Sequence, residues 1–235
     1  ILLGSEYGNG AYQSFVRIAR ELADARERGL KLVVADPRLS VSASKADEWL
    51  PVKPATDLAF LLAMIHLMVH EFNIVDTQWL KKGTNGSYLL GPDHNFVFDP
   101  ITDKPLIWDP VDDVAKTFDD PTIKDWALEG TFEVNGLACV PSFQYLKDET
   151  RGYTAEWASQ ICDIPADTIS RITKEFGDAA CIGQTITIDG IEYPYRPVSL
   201  LSYRGMQAHT NGTLAMLAQE TVMMLVGAHG VPGGL

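Results

Sequence analysis

An open, mostly parallel α/β sheet flanked by helices, Rossmann-like in type and carrying a long irregular insertion, is the fold this sequence predicts. Three observations predict it. Leu30-Lys31-Leu32-Val33-Val34-Ala35 is a short aliphatic, β-branched run of the kind buried on both faces of a parallel sheet, and Asp36-Pro37-Arg38 follows it directly. Ile1-Leu2-Leu3 reads as an earlier strand opening into Gly4-Ser5-Glu6-Tyr7-Gly8-Asn9-Gly10. Between them, residues 11–28 carry Phe15, Ile18, Ala19, Leu22 and Ala25 at helical spacing.

Strand, glycine-rich loop, helix, strand, acid is an order with defined chemistry. Glycines let the backbone approach a phosphate, the helix start offers unpaired N–H groups, and an acid at the next strand's end accepts from ribose hydroxyls. The loop reads Gly4-x-x-x-Gly8-x-Gly10, which is not the GxGxxG dinucleotide fingerprint. On spacing alone, a nucleotide site and a plain turn both stand.

Further along, Asp57 opens a long helix over residues 58–72, with Leu61, Leu62, Ile65, Met68 and Val69 on its apolar side, so its simplest role is an N-cap. His66 and His70 share a helix face, but no HExxH pattern surrounds them, and they read as core and surface histidines. Residues 76–80 form a short helix. From residue 83 to about 151 the periodicity fades into turn dipeptides such as Gly91-Pro92, Asp99-Pro100 and Asp109-Pro110. Trp108, Trp126, Phe132, Phe143 and Tyr145 argue against disorder there. The stretch reads as an excursion packed on the α/β body, either beside an entrance to the site or as plain surface packing.

Regular structure then resumes. Thr154 caps one helix, residues 166–176 form another with Ile169, Ile172 and Phe176 apolar, and Ala179-Ala180-Cys181-Ile182 reads as a strand. A strand at residues 197–202 runs into the polar loop 204–212 and an apolar helix at 213–226.

Composition narrows the function classes. With 46% hydrophobic residues the chain can bury a substantial core. The 31 acids against 19 bases, with no basic run, argue against binding a nucleic-acid backbone. Cys139, Cys162 and Cys181 lack any CxxC pairing and read as buried or free thiols, so no metal ligand and no catalytic residue is assigned. The longest apolar candidate, residues 58–69, is too short to span a bilayer.

Four ordered motifs carry a family resemblance: Leu3-Gly4-Ser5-Glu6-Tyr7, Val34-Ala35-Asp36-Pro37-Arg38, Ala46-Asp47-Glu48-Trp49-Leu50-Pro51 and Pro54-Ala55-Thr56-Asp57. Thr84-Asn85-Gly86, Lys104-Pro105-Leu106-Ile107-Trp108-Asp109, Tyr153-Thr154-Ala155-Glu156-Trp157 and Arg204-Gly205-Met206-Gln207-Ala208-His209-Thr210-Asn211-Gly212 extend it, together with Gly227-Ala228-His229-Gly230. The whole resembles the catalytic subunits of molybdopterin oxidoreductases, the dimethyl sulfoxide reductase superfamily.

That resemblance implies a central cofactor-binding portion of a molybdenum or tungsten enzyme holding a bis-molybdopterin guanine dinucleotide. It implies contacts from Gly4, Ser5 and Glu6, from Asp36, Pro37 and Arg38, and from Ala55 and Asp57, with Asp57 accepting from the guanine base. It adds Arg204 as a phosphate partner, and Gln207, His209 and Asn211 as further contacts. Thr210-Asn211 as a simple helix cap remains the alternative for the last.

By the same resemblance, residues 1–196 form the guanine-dinucleotide-binding domain and residues 197–235 begin the return into a neighbouring α/β domain. A 4Fe–4S cluster motif and the metal ligand are expected before Ile1 and a barrel-like domain after Leu235. The expected activity is two-electron oxygen-atom transfer or hydroxylation of a small-molecule substrate, although the superfamily includes non-redox members. The expected partners are a membrane anchor and an iron–sulfur electron-transfer subunit; the compartment is open. A nicotinamide-dependent dehydrogenase domain and a non-catalytic structural homologue are the other classes.

Two departures bear on the site. Glu6 stands where many members have Asn, so its carboxylate must point at a hydroxyl or amine to avoid a pyrophosphate. Ala55 replaces a glycine, so a positive φ there would be strained.

Overall fold

The computed structural model describes residues 1–7 and 15–234. The expected loop positions Gly8, Asn9 and Gly10 and the start of the first helix lie outside them. In chain order β1 (Leu2–Leu3), α1 (Phe15–Glu27), β2 (Val33–Ala35), α2 (Val41–Lys45) and β3 (Glu48–Leu50) come first. Then follow α3 (Asp57–His66), a π-helical turn (Leu67–Glu71) and α4 (Thr77–Gly83). The strands β4 (Leu89–Leu90), β5 (Leu106–Asp109), β6 (Val114–Thr117), β7 (Phe132–Val134) and β8 (Leu137–Pro141) lead to α5 (Ser142–Glu149), α6 (Ala155–Cys162) and α7 (Ala166–Ala179). A hairpin of β9 (Thr185–Ile188) and β10 (Ile191–Pro194) precedes β11 (Leu201–Ser202), α8 (Arg204–Gln207) and α9 (Gly212–Leu225).

A parallel sheet flanked by helices organises these elements. Its order is β11-β1-β2-β3, with Leu2 opposite both Leu201 and Val34, and Val33 opposite Glu48. Because side chains alternate along a strand, the sheet has two apolar faces. Leu3, Val33, Ala35 and Leu50 enter the main core with Phe60, Leu61 and Met64 of α3, Ala158 of α6, Ile169 of α7 and Val222 of α9. Leu2 and Val34 point the other way, onto Ala43 of α2 and the half-buried Leu22 of α1. Each fully buried Phe, Leu or Met contributes about 1.5–3 kcal/mol over an exposed one, so the larger face dominates stability.

The central helix α3 is buried along eight of its ten residues, which its run of Leu, Ala, Met and Phe suits. Thr56, rather than Asp57, occupies its N-cap position, and no side chain caps it. The N-cap expectation for Asp57 is therefore corrected by one residue. At the other end, His66 donates from Nδ1 to the Thr150 carbonyl at 3.0 Å, and His70 from Nε2 to the Lys147 carbonyl at 2.8 Å. These histidines tie the π-helical turn to the end of α5.

Two expectations of local structure fail. Residues 83–151 are not irregular: β4, β8 and β7 form an antiparallel sheet, β5 pairs with β6, and Leu89, Leu106, Val134 and Cys139 make a small separate core. Strands of two to five residues are too short to show an alternation. Positive φ at Asp103, Asp113 and Asn135 supports the tight turns in this stretch. Nor is there a strand at 179–182. The apolar stripe Ile169, Ile172, Phe176 carries α7 to Ala179, and Cys181 then turns with φ +52°. A four-residue apolar run does not distinguish a strand from a helix end.

Candidate functional site

The order of the sheet defines the site. Running outward from β1, the chain places β2 and then β3 on one side and returns only at β11 to the other, so the direction of progression reverses between β1 and β11. Parallel sheets bind ligands beyond the carboxyl ends of their strands at such a reversal. Four loops meet at this edge, after β1, β2, β3 and β11.

Glycine brings the first and last of them together. Gly4 leaves β1 with φ +52°, and its carbonyl accepts the Gly205 N–H at 3.0 Å. A Cβ on Gly4 would sit 2.5 Å from the Met206 nitrogen, and one on Gly205 would collide with the Gly4 carbonyl. Only glycine permits this backbone-to-backbone approach. Gly205 was not among the expected contacts, although its place between Arg204 and Met206 in the polar loop was a visible signal.

On the β1–β2 side, the carboxylates are held by the chain itself. The Asp36 Oδ1 accepts the Arg38 N–H at 3.0 Å, and the Asp36 carbonyl accepts Trp49 Nε1–H at 2.8 Å. Trp49 is thus a second positioning residue absent from the expected set. Glu6 accepts the Val41 N–H at 2.9 Å through Oε1, and its Oε2 lies 3.0 Å from Arg38 Nη2. Ser5 and Asp36 are buried, whereas Pro37 and Arg38 are exposed.

Asp57 is the unusual member. Its side chain is 4% exposed, yet no other described residue donates a hydrogen bond to it. Burial pushes its pKa up; its own N–H and the nearby His209 oppose this, and Asp36 adds to it. Asp36, Asp57 and His209, from the loops after β2, β3 and β11, therefore share one electrostatic environment. Among the described residues, the Nε2 of His209 is itself buried without a hydrogen-bond partner. Ala55, two residues before Asp57, sits at φ +64° in a turn held by the Thr56 N–H and hydroxyl on the Lys53 carbonyl.

The remaining expected residues lie on the β11 side. Arg204 is exposed at the start of α8, Gln207 is half-buried, and Asn211 is exposed at the N-cap position of α9 without a side-chain capping bond. Among the described residues, none of these three side chains hydrogen-bonds to the other expected positions.

The family's sequence model for molybdopterin oxidoreductases matches residues 1–235. The chain belongs to the molybdopterin oxidoreductase family. This family member is 30% identical to a sulfite dehydrogenase subunit of Allochromatium vinosum over 91% of its own length and 24% of that protein. It is 29% identical to the thiosulfate reductase molybdopterin-containing subunit PhsA of Salmonella typhimurium, over 78% of its length and 17% of that protein. Dimethyl sulfoxide reductase DmsA of Escherichia coli is 26% identical over the full chain and 22% of its own length. The molybdopterin oxidoreductase chain thus spans about a quarter or less of these relatives. Its fold is similar to that of acetylene hydratase from Pelobacter acetylenicus, with a TM-score of 0.58 at 20% identity over 97% of this chain and 21% of that one.

The family implies a molybdopterin cofactor with molybdenum or tungsten. The donor set fits such a ligand: the Asp57 carboxylate, met by no described donor besides its own N–H, and a ring nitrogen of His209 unpartnered among the described residues are open to an incoming polar group.

Proposed function

We propose that this chain is the cofactor-holding α/β portion of a molybdenum or tungsten oxidoreductase, and that its crevice seats the guanine end of a bis-pyranopterin guanine dinucleotide. The Asp57 carboxylate, on a buried residue and met by no described donor besides its own N–H, carries this reading. The ring N–H and amino group of guanine present two parallel donors to a carboxylate. Asp36 has one oxygen engaged by Arg38 and keeps the other for ribose hydroxyls. Arg204 is the cation available for a phosphate, and the Gly4–Gly205 contact keeps the loops after β1 and β11 close. The reversal of strand order between β1 and β11 supports the Rossmann-like reading. Residues 197–235 carry the chain back across the sheet toward a neighbouring cofactor-binding domain.

When bound, the cofactor supplies two-electron chemistry at its metal, oxygen-atom transfer or hydroxylation of a small molecule. The residues here bind and orient it, and none acts as a proton donor to substrate in this reading. A 4Fe–4S cluster, a membrane anchor and an iron–sulfur electron-transfer subunit complete the proposed enzyme. Relatives named as subunits of larger enzymes support that assembly.

The test is Asp57→Asn in the complete protein. Guanine nucleotide released by acid hydrolysis is expected to fall at least fivefold relative to protein, because an amide cannot accept both guanine donors. Unchanged guanine and metal content sinks the assignment. Titrating the cofactor-free protein with guanosine and with NADH separates this reading from a nicotinamide site, and preferential NADH binding would overturn it.

A further inference from the structure

Away from the crevice, β5, β6 and the segment before β5 build an aromatic surface that the fold leaves open. Leu106 pairs with Thr117, so the next step of the ladder sets Pro105 opposite Phe118, whose N–H donates to the Pro105 carbonyl at 3.0 Å. On its other side Pro105 forms a β-bridge with Phe98. Residues opposite each other on antiparallel strands point to the same face, so Phe98, Pro105 and Phe118 stand in a row. The Tyr88 ring joins them, 5.5 Å from Phe118 and edge-on to Phe96 at 5.7 Å.

These side chains are not sealed into the small core beneath them. Phe98 is 44% and Phe118 40% exposed, and Ile101, in the loop from Phe98 to Pro105, is 90% exposed. That loop is held in one shape: Asp99 accepts the Thr102 N–H at 2.8 Å and its hydroxyl at 2.6 Å, and the Asp103 N–H donates to the Asp99 carbonyl at 2.9 Å. A single exposed Leu or Ile is ordinary, but aromatic rings grouped beside a fixed apolar tip have the composition of an interface core.

The charges beside this surface select what can cover it. Asp99, Asp103, Asp119 and Asp120 flank the rings, and Lys104 is the sole cation in residues 96–105 and 117–122. Lys104 is taken up by Asp119, and Asp103 has no ion-pair partner among the described residues. Burial raises the Tyr88 pKa and Asp119 adds to the rise, which sets that acid close to the rings. Lys116, on β6, is drawn to Asp109 and Asp112, and Lys124 to Asp112. The rim is therefore acidic. A second copy of this chain would bring the same acids against each other across a two-fold axis, which disfavours self-association here.

We propose that the face formed by Phe98, Ile101 and Phe118 docks a different polypeptide through a basic segment, whose apolar side chains cover the rings while Lys or Arg meets Asp99, Asp103 and Asp120. This surface is independent of the guanine site.

The test places the photoreactive residue p-benzoylphenylalanine at position 101 of the complete protein, which is irradiated in the cells that make it. Mass spectrometry is expected to find residue 101 joined to another polypeptide, at a peptide carrying Lys or Arg beside apolar residues. Asp103→Asn, which keeps a residue suited to the left-handed turn, is expected to lower the yield about threefold, and Asp24→Asn on α1, the same charge change elsewhere, to leave it unaltered. Cross-links confined to the same polypeptide, to a second copy or to an acidic segment overturn the proposal, as does no cross-link at all or an equal loss in the two Asn variants. Guanine content of the same preparations reports separately on the cofactor: protein that lacks guanine yet cross-links as expected overturns the guanine reading and leaves this surface standing.

Discussion

Arg196 Nη2 lies 2.6 Å from Asp76 Oδ2, a buried ion pair between residues 120 apart in sequence. Arg196 also donates from Nε to the Val226 carbonyl, and from Nη1 to the carbonyls of Cys181, Gln184 and Tyr195. Asp76 in turn caps α4 through the Trp79 N–H at 3.0 Å and donates its own N–H to the Leu225 carbonyl at 2.7 Å. One guanidinium thereby joins the end of α9, the start of α4 and the turn after α7.

Arg196→Met is expected to destabilise the protein by about 3–5 kcal/mol, because it strands a buried carboxylate and several carbonyls. Arg196→Lys restores the charge but not the planar fork of donors, and it is expected to recover less than half of that loss. Chemical denaturation with matched m-values measures both, and full rescue by Lys contradicts the geometric account.

Ala55 at φ +64° carries a left-handed backbone penalty that glycine does not. Ala55→Gly is expected to stabilise by up to about 1 kcal/mol, the relief of strain being partly offset by the greater freedom of glycine in the unfolded chain. Ala55→Val should destabilise. A shift of the urea midpoint to lower concentration for the glycine variant would contradict the strain argument.

Burial raises the Asp57 pKa above that of an unfolded aspartate. The folded chain then holds this proton more tightly than the unfolded chain, so Asp57 disfavours folding as pH rises from the ordinary aspartate value through its raised one. Asp57→Asn is expected to be more stabilising at pH 7 than at pH 4 in the cofactor-free protein. The quantity to measure is the stability difference between parent and variant at the two pH values; no change with pH, or the opposite sign, refutes the assignment.

Asp109 behaves oppositely. Burial opposes its ionisation, but Lys116 Nζ at 2.8 Å and the N–H groups of Lys124 and Val111 at 2.9 and 3.0 Å outweigh it and hold the pKa well below the usual carboxylate range. Its contribution is present above the unfolded aspartate pKa and is lost as pH falls through the folded value. Asp109→Asn is expected to speed hydrogen exchange at the Val111 and Lys124 amides at neutral pH, with little effect on amides in α3. Unaltered exchange at both positions counts against the network.

Legibility varied with the range of the interaction. The strand at residues 33–35, the Thr154 cap, whose hydroxyl takes the Trp157 N–H at 3.2 Å, and the apolar helix over 212–225 were readable because composition and spacing act within one element. The strain at Ala55 was expected from the family resemblance, which has a glycine at that position, and the residue sits at φ +64°. The hairpin at Asp189-Gly190, both with positive φ, was not expected, although its two-residue turn flanked by Ile and Thr is a strong local signal. The strands of residues 83–151 were not expected either, because they are too short to display a period.

By itself the sequence determined the family and the order of strand, loop and acid around the crevice, since those depend on residue type at fixed short spacings. Only the tertiary structure decided that β11 lies beside β1, that Gly205 therefore touches Gly4, and that Asp57, Asp36 and His209 share one environment. It also decided that Glu6 turns to Arg38 and Val41. The physical reason is that alternation tells which face of a strand is buried but not which distant strand becomes its neighbour. That choice is made by burying both faces of the sheet at once, with α3, α6, α7 and α9 on one side and α1 and α2 on the other.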